Sequence, residues 1–291
     1  HASDTTNTTT AAATTTTPSG ARMFRGQDED TLLREMGSRP VVRVIERFNS
    51  STLVFHCDLG NGLEIAFKPA RRGERNWWVH EIAGYELARA LGIEGRVPPA
   101  TYKRVPVSMF DHFDRDARLI VHDGMVEGTA IFWMPVLHRS RIQTAESHAQ
   151  WAPWMDPRNP IPAEHRRRAL QIADLIVFDY LEANFDRWNS ANVPMDEHDD
   201  LVYRDNNRAW FNINLRRVTR GGLRNIRRIS AGLLAGVERA TDDVLRARTF
   251  RTRPRILTRK QLQGYETRRR ALLQQVERMI RQHGRENVVL E

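Results

Sequence analysis

The order in which hydrophobic patterns follow one another constrains the fold of this chain more than any single motif does. Between Val41 and Pro69 lie three short runs of β-branched and aromatic residues, VVRVIERF, STLVFHCDL and LEIAFKP. FNSS and GNG separate these runs, and Asn61-Gly62 is the strongest hairpin-turn signal in the chain. The pattern predicts three antiparallel strands.

Helical periodicity takes over after the third strand. The segment WWVHEIAGYELARALG predicts one helix that packs on the sheet and ends at Gly92. Extended segments TYKRVPVSMF, RLIVHDGMV and TAIFWMPVL then complete a mixed lobe, and beyond Leu137 apolar residues recur mainly at helical spacing. Strands first and helices later predict an α+β chain of two lobes, a β-rich one over residues 23–137 and a helical one over residues 138–291.

The first 22 residues differ in composition from everything after them. They are rich in threonine and nearly uncharged, so they cannot bury enough apolar surface to offset the entropy lost on ordering. We predict a disordered tail over residues 1–22. The chain begins at His1 rather than at a methionine, which suits a secreted protein after N-terminal processing, while a cytoplasmic location stays open.

Charge and cysteine content limit the class of partner. The net charge is +9, and only three of the 45 basic residues are lysines. Such a surface favours an acidic protein or glycan; nucleic acid is disfavoured, because the chain lacks zinc-finger spacing and an aromatic-basic single-strand signature. Cys57 stands alone and is interpreted as a small buried hydrophobic residue. No apolar run approaches the roughly 20 residues of a membrane span, and the helical patterns leave the oligomeric state open.

Lys68 ends the third predicted strand in a chain that uses arginine for almost every other cation. Lysine is a compact point charge, which suits a position between phosphate oxygens better than the planar fork of arginine does. Glu81 lies on the helix that follows this strand. Taken separately, the two are a strand-end lysine reaching solvent and a solvated helix glutamate; taken together, they are the arrangement in which kinases hold a phosphate-binding lysine.

Polar residues between apolar runs supply the second half of a candidate site. Asp186 lies in the loop NFDRWNSANV after a predicted helix, where it is placed to accept a proton from a hydroxyl group. Asn192 in the same loop and Asp205 after the predicted strand LVYR offer oxygen ligands to a divalent cation. An amide and a carboxylate suit Mg²⁺ or Mn²⁺ better than zinc. The order of lysine, glutamate, base aspartate, asparagine and metal aspartate is that of a kinase.

These segments resemble the four-jointed and Golgi casein kinase family of secretory-pathway kinases and, more distantly, the HipA toxin kinases and the phosphoinositide lipid kinases. The resemblance extends from about Val41 to Phe211, and its most specific parts are FKP, HEIAGYELARALG with RVPP, and NFDRW followed by DNN. It implies an atypical protein-kinase-like fold, with a β-rich N-lobe that carries one packed helix and a mostly helical C-lobe. It also implies an enzyme that uses ATP with Mg²⁺ or Mn²⁺.

The resemblance assigns roles on the nucleotide side of the site. Lys68 is similar to the phosphate-binding lysine, and Glu81 is similar to its helix partner, which also contacts the metal. A polar loop between the first two strands takes the place of a glycine-rich loop over the phosphates, and it consists of Asn49, Ser50, Ser51 and Thr52.

The resemblance assigns the remaining roles in the second lobe. Asp186 is similar to the catalytic base, and Asn192 and Asp205 are similar to the metal ligands. The chain departs from the family at Trp188, where many relatives have histidine, and at Asn207, where a glycine commonly follows the Asp-Asn pair. It also cannot form the intramolecular disulfides of animal members. None of these departures removes a charged catalytic group.

The function that these residues predict is metal-dependent transfer of the γ-phosphoryl group of ATP to a protein (Ser/Thr) or glycan hydroxyl, with Asp186 as base. A pseudokinase that serves as a nucleotide-binding scaffold or activator is the alternative, and the tryptophan at position 188 is its support. A third hypothesis is a polyanion-binding protein, which would bind nucleic acid in a salt-sensitive way even after Asp205→Ala.

Overall fold

A computed structural model describes residues 22–49, 52–74, 77–112, 118–188, 192–210, 222–250 and 254–291. The described chain has a β-sheet lobe followed by a helical lobe, which confirms the predicted α+β fold. Residues 1–21 of the predicted tail, and Ser50 and Ser51 of the predicted phosphate-covering loop, lie outside these ranges. The disorder of the tail and the boundary between the lobes therefore stay predictions.

Within the described residues, six strands form the central sheet of the N-terminal lobe. The six strands are β3 (Arg43–Asn49), β4 (Leu53–Asp58), β5 (Glu64–Pro69), β6 (Ala100–Pro106), β7 (Val121–His122) and β8 (Met125–Phe132). A separate hairpin of β1 (Met23–Phe24) and β2 (Gln27–Asp28) precedes them. Their order across the sheet is β3-β4-β5-β8-β6, and β7 pairs with β8. All of these pairings are antiparallel.

The three strands predicted from the first hydrophobic runs are confirmed as β3, β4 and β5. Asn61 and Gly62 connect β4 to β5 with φ values of 55° and 76°. Both values lie in the left-handed region, which an Asn-Gly pair enters at low cost and which suits the twist of a tight hairpin. The register of the next strand, and with it the direction of its side chains, depends on this turn.

Alternation along β5 determines which way Lys68 points. Ile65 and Phe67 are fully buried in the core of the N-terminal lobe. Because successive side chains of a strand point to opposite faces, the side chain of Lys68, which follows Phe67, lies on the other face of the sheet. Cys57 on the neighbouring strand is also fully buried, which confirms its interpretation as a small core residue. The sheet therefore has one apolar face and one face that carries Lys68.

A helix that the sequence patterns did not predict precedes the sheet. Helix α1 (Glu29–Ser38) begins after Asp28, whose carboxylate caps the first turn. At the other end the buried ammonium group of Lys103 donates hydrogen bonds to the carbonyl oxygens of Met36 and Arg39. Burial lowers the pKa of Lys103 to about 8. Because this contact comes from β6, far along the chain, the sequence near α1 carries no signal of it.

Helix α2 packs on the sheet of the N-terminal lobe and also contacts the helical lobe, and it ends at Gly92 with φ 79° as predicted. The helices are α2 (Trp78–Leu91), α3 (Ala145–Trp151), α4 (Arg166–Glu182), α5 (Ala231–Arg239), α6 (Asp242–Thr249), α7 (Arg259–His283) and α8 (Arg285–Val288). Two small pairings accompany them, β9 (His138–Arg139) with β10 (Pro194–Met195) and β11 (Ile229–Ser230) with β12 (Val289–Leu290). None of the described helices combines the length and apolarity needed to cross a bilayer.

Two predicted extended segments differ from the observed structure. The strand predicted over TAIFWMPVL ends at Phe132 rather than at Leu137. The strand predicted over LVYR does not form, because only Leu201 makes a β-bridge, to Met195. Leu201 and Tyr203 are instead buried in the core that the helical lobe shares with α2, whereas Val202 is buried in the core of the N-terminal lobe. Alternating apolar residues cannot distinguish a paired strand from a buried extended segment.

Gly236 allows α5 to pack against the end of α2. A Cβ atom at this position would lie 2.7 Å from the carbonyl carbon of Leu91, closer than real Cβ contacts come. We expect Gly236→Ala to lower the free energy of unfolding by about 1–3 kcal/mol, because a packed interface must shift to admit the methyl group. Gly232→Ala on the same helix is the matched control, since a Cβ there has nothing within 4 Å. Urea unfolding should therefore separate the two alanine variants, and equal midpoints would contradict the prediction.

Asp174 joins α4 to the start of α5. Its carboxylate accepts hydrogen bonds from the backbone N–H (3.0 Å) and hydroxyl group (2.8 Å) of Ser230. Burial raises the pKa of Asp174 from its ordinary value of 3.8 to about 6. Between these two pH values the folded state keeps a proton that the unfolded state has released, so the contribution of this group to the free energy of unfolding falls as the pH rises.

The variant Asp174→Asn removes this titration. We expect the free energy of unfolding of the wild-type chain minus that of the variant to decrease from pH 4 to pH 6 and to stay constant from pH 6 to pH 7. Urea titrations at each pH measure this difference, in which the titrations of other carboxylates cancel. A difference that is independent of pH would contradict the raised pKa of Asp174.

Candidate active site

Lys68 links three separate segments of the chain. Its ammonium group binds the carboxylate of Glu81 in α2 and lies 2.7 Å from Oδ1 of Asp205 in the helical lobe. The side chains of Lys68 and Glu81 are 9% and 4% exposed, whereas that of Asp205 is 35% exposed. Asp205 is therefore the one of the three whose carboxylate is accessible from the space beside the buried pair.

Electrostatic interactions keep Lys68 and Asp205 ionised. Burial acts to lower the pKa of Lys68, but Asp205 and Glu81 outweigh it and raise that pKa above its ordinary value. Burial acts in the opposite sense on Asp205, where the positive charge of Lys68 outweighs it and holds the pKa of the carboxyl group below 3.8. At neutral pH Asp205 is a carboxylate, which is the form that binds a cation.

The backbone at Asp205 turns its carboxylate toward Lys68. Asp205 has φ 66° and ψ 58°, a left-handed conformation that non-glycine residues seldom adopt. The next residue, Asn206, donates its backbone N–H to Oε2 of Glu81 at 3.0 Å. A Cβ atom at Gly84 would lie 2.9 Å from the Cβ of Asn206, so the glycine lets α2 approach this segment. Close packing of α2 thus holds the unusual backbone in place.

Asp186 and Asn192 lie in a second loop, after α4. The amide group of Asn192 donates to the backbone oxygen of Asp186 at 3.1 Å. The backbone N–H of Asp186 donates to Oδ1 of Asn184 at 3.0 Å. Arg208 lies 3.5 Å from the carboxylate of Asp186 and stacks over the ring of Trp77 at 5.5 Å. These contacts fix the loop that carries the predicted base.

Arg187 connects the two loops. It is fully buried, and its guanidinium group donates hydrogen bonds to the backbone oxygen of Arg204 and to the side-chain oxygen of Asn206. These two acceptors are the neighbours of Asp205 on either side. The residue after Asp186 therefore binds the residues that flank Asp205, which brings the predicted base loop and the predicted metal ligand into one site.

Two buried carboxylates of α4 hold Arg187 in turn. Its guanidinium group donates to Asp179 at 2.8 Å and to Glu182 at 3.0 Å. Burial raises the pKa of both Asp179 and Glu182, and the charge of Arg187 opposes the shift in each. The sequence patterns did not point to Glu182. A third acid within the apolar segment DLIVFDYLEAN, one helical turn after Asp179, is the signal that could have identified it.

The predicted phosphate-covering loop reaches the site through Thr52. The hydroxyl oxygen of Thr52 accepts a hydrogen bond of 2.7 Å from the side-chain amide of Asn207. Asn207, which the resemblance marks as a departure from the family pattern, thus supplies a contact between the lobes. Asn49 ends β3 at the start of the same loop, and Ser50 and Ser51 fall outside the described residues.

His80 is a further residue of the site that the sequence analysis missed. Burial lowers the pKa of His80 to about 4, so the ring is neutral at pH 7. One ring nitrogen lies 3.1 Å from the backbone oxygen of Asn207, and the other lies 3.3 Å from the amide nitrogen of Gln261 in α7. In this tautomer the ring donates to Asn207 and accepts from Gln261. It anchors α2, next to Glu81, to both the site and α7.

The donor atoms of the site suit a hard divalent cation. The described residues contain no group of three or more His, Cys, Asp or Glu residues in a metal-binding arrangement. They do bring a carboxylate oxygen from Glu81 and one from Asp205 to the same ammonium group, and Asn192 offers an amide oxygen. Mg²⁺ in phosphoryl-transfer sites is held by one or two carboxylates together with the phosphates of the substrate. The residues present fit such an ion.

A β-sheet lobe with one packed helix, a helical lobe, and a lysine bound to a helix glutamate together define a protein-kinase-like fold. The chain superposes with a TM-score of 0.66 on the Golgi casein kinase bound to Mn and ADP, with 17% identity over 91% of this chain and 79% of that one. It superposes with a TM-score of 0.61 on hydra Fam20 with sugar, with 17% identity over 91% of this chain and 92% of that one. The predicted likeness to the Golgi casein kinase group is confirmed at the level of the fold.

Comparisons of the sequence itself gave no match. No protein-family profile matches the chain, and no curated protein is similar to it in sequence.

Proposed function

We propose that this chain is a metal-dependent kinase that transfers the γ-phosphoryl group of ATP to a hydroxyl group of a protein (Ser/Thr) or glycan acceptor. The observation that carries the proposal is the contact of Lys68 with both Glu81 and Asp205, which joins a strand, a helix and a loop of the other lobe. Phosphoryl transfer depends almost wholly on positioning and electrostatic stabilisation, and this arrangement supplies both. The fold shared with the Golgi casein kinase, whose structure holds Mn and ADP, supports the same assignment.

Each polar group has a defined role in this proposal. Lys68 binds phosphate oxygens of ATP and is held in place by Glu81. Asp205, Asn192 and Glu81 would hold Mg²⁺ or Mn²⁺, which neutralises charge on the phosphates when it is bound. The described end of the β3–β4 loop, Thr52, lies beside the site through its bond to Asn207, which is consistent with a nucleotide-covering loop that also includes Asn49, Ser50 and Ser51.

Asp186 is the proposed base for the acceptor. Its carboxylate takes the proton of the acceptor hydroxyl group while the oxygen of that group forms a bond to the γ-phosphorus and the bond to ADP breaks. The net charge of +9 supports an acidic protein or a glycan as acceptor. Arg187 acts through Asp186 and Asp205 by fixing their loops, so it is a positioning residue.

Turnover of ATP without an added acceptor tests the proposal. We expect slow hydrolysis or self-phosphorylation in Mg²⁺ or Mn²⁺, and we expect Asp205→Ala to abolish it. Asp243→Ala, on the exposed first turn of α6, is the matched control and should leave the rate unchanged. If nucleotide raises the melting temperature without any turnover, the chain is a pseudokinase that serves as a scaffold. If nucleotide neither binds nor turns over, the site assignment is wrong.

A further inference from the structure

The segment after Asp205 carries positive charge without an acidic residue to balance it. Between Asp205 and Glu238 the sequence contains seven arginines and neither aspartate nor glutamate. Three of these arginines, Arg224, Arg227 and Arg228, lie close together just before β11. Any carboxylate that neutralises these three must therefore come from another part of the chain.

Asp156 is the acid around which these arginines gather. Its carboxylate lies 2.6 Å from the guanidinium group of Arg158 and 3.3 Å from that of Arg227. Its backbone oxygen accepts a hydrogen bond of 3.1 Å from the buried Arg228. Hydrogen bonds from Arg158 hold the pKa of Asp156 below its ordinary value of 3.8, so the group is a carboxylate at neutral pH. One negative charge thus lies among three guanidinium groups.

A cavity of about 410 Å³ opens beside this cluster. Arg158, Arg224 and Arg227 line it, and Asp156 is the one acid among its described lining residues. Three cations against one carboxylate leave the wall with a net charge of +2 when His283, which also lines it, is neutral. Arg224 forms no ion pair within the part of the chain that the structure describes. A concave surface of one sign focuses its field and concentrates counter-ions.

This cavity is separate from the proposed active site. None of its described lining residues is a proposed ligand of the nucleotide or the metal, or the proposed base. Its wall joins the loop at residues 156–158, residues 224–227 and the C-terminal half of α7. A ligand in the cavity would contact all three segments, and it would stabilise the folded chain because the unfolded chain has no such site.

The chemistry of the wall suits a phosphate group. A guanidinium group offers paired N–H donors that match phosphate oxygens. A phosphate monoester carries nearly two negative charges at neutral pH, which corresponds to the net charge of the wall. Met279 and Pro157 add apolar surface for an organic group. The volume falls within the range of about 300–1,000 Å³ that small-molecule sites occupy, so the cavity has room for such a group beside the phosphate.

We propose that this cavity binds a small phosphate monoester, whose phosphate group accepts hydrogen bonds from Arg224 and Arg227 and whose organic group packs against Met279. Arg158 contributes its charge rather than its donors, because its Nε and one terminal nitrogen already donate to Asp156. The site is additional to the proposed nucleotide site, and the inference does not depend on the kinase function.

Binding of phenyl phosphate and of inorganic phosphate to the full chain tests the proposal. Calorimetry is performed at constant ionic strength in EDTA, which removes the divalent cation that the proposed nucleotide site needs. We expect saturable binding of phenyl phosphate, with an affinity several-fold higher than that of inorganic phosphate, and no binding of phenol. Equal affinities for the two phosphates would overturn the contact with Met279 and assign the cavity to free phosphate. Absence of binding of both would overturn the inference as a whole.

Arg224→Gln removes a charge that has no ion pair to lose, so the fold should persist. We expect this variant to bind phenyl phosphate about tenfold more weakly, which is typical of the loss of one charge-assisted hydrogen bond. Arg43→Gln, on β3 where the side chain is 68% exposed, makes the same change in charge in the other lobe and should bind as the wild-type chain does. Equal weakening in both variants would indicate a general attraction to a basic surface and would overturn the site.

Asp156→Asn tests the sign of the field in the cavity. The variant removes the carboxylate that opposes an anion, while its amide oxygen can still accept the backbone N–H of Arg158, which lies 3.0 Å from Oδ1 in the wild-type chain. We expect phenyl phosphate to bind several-fold more tightly, the opposite of the change in Arg224→Gln. Unaltered affinity in both Asp156→Asn and Arg224→Gln would overturn the inference, because neither charge would then act on the ligand.

Discussion

Replacing Asp186 with asparagine is expected to lower the rate of phosphoryl transfer by about 10²- to 10⁴-fold, the usual contribution of a general base. Asparagine has nearly the same shape, and the backbone contacts of this loop to Asn184 and Asn192 do not involve the carboxylate. The fold and the nucleotide site around Lys68 should therefore survive. Initial rates with saturating ATP measure the loss, and the rise in melting temperature caused by nucleotide measures retained binding.

The Asp186→Asn result is informative only beside a matched substitution. Asp243→Asn, 82% exposed on α6, makes the same change in charge far from the site and should leave the rate within about twofold of the wild-type value, as expected for a surface substitution. A full rate in Asp186→Asn would reject the role of this residue as base. Loss of both rate and nucleotide binding would indicate a folding defect rather than a lost proton acceptor.

Replacing Arg187 with methionine is expected to lower the free energy of unfolding by about 3–5 kcal/mol, because the change leaves the buried carboxylates of Asp179 and Glu182 without their counter-ion. Both carboxylates and the guanidinium group are almost fully enclosed. The hydrogen bonds to Arg204 and Asn206 are lost as well. Urea unfolding followed by circular dichroism measures the loss.

Two comparisons separate this effect from an ordinary loss of charge. Arg281→Met breaks an exposed ion pair with Glu277, in which the side chains are 63% and 69% exposed, and should change stability by less than about 1 kcal/mol. Adding Asp179→Asn and Glu182→Gln to Arg187→Met should restore part of the stability, since neutral side chains are less costly to bury. Equal losses of unfolding free energy in Arg187→Met and Arg281→Met would contradict a stabilising role for the buried ion pairs of Arg187.

Local patterns along the sequence predicted much of the N-terminal lobe. β3, β4, β5 and α2 were predicted because their hydrophobic periods, the Asn61-Gly62 turn and the stop at Gly92 are all properties of neighbouring residues. Helix α1 was missed although its N-cap, Asp28, is a local signal, and only the Lys103 contact at its other end comes from a strand far along the chain. The strand predicted at 201–204 was wrong because an extended segment whose side chains are buried in two different cores shows the same apolar pattern as a paired strand.

The candidate site could likewise be predicted from the sequence only in part. Lys68 and Glu81 could be paired from the sequence because a strand leads directly into a helix, and Asp205 was chosen by residue type and order. Lys68 and Asp205 are 137 positions apart in the sequence, and their contact depends on how the two lobes pack. Residue order suggests such an arrangement but does not bring the atoms within bonding distance.

The sequence by itself therefore determined the types of β3, β4, β5 and α2, the α+β order and the set of ionisable residues, because period, turn chemistry and side-chain type act over a few neighbouring positions. Tertiary structure alone decided that Arg187 joins the loops of Asp186 and Asp205, and that Trp188 stacks on Trp151 beside a cavity. These features arise from burial, which removes competing water and makes each polar contact, or the lack of one, energetically significant.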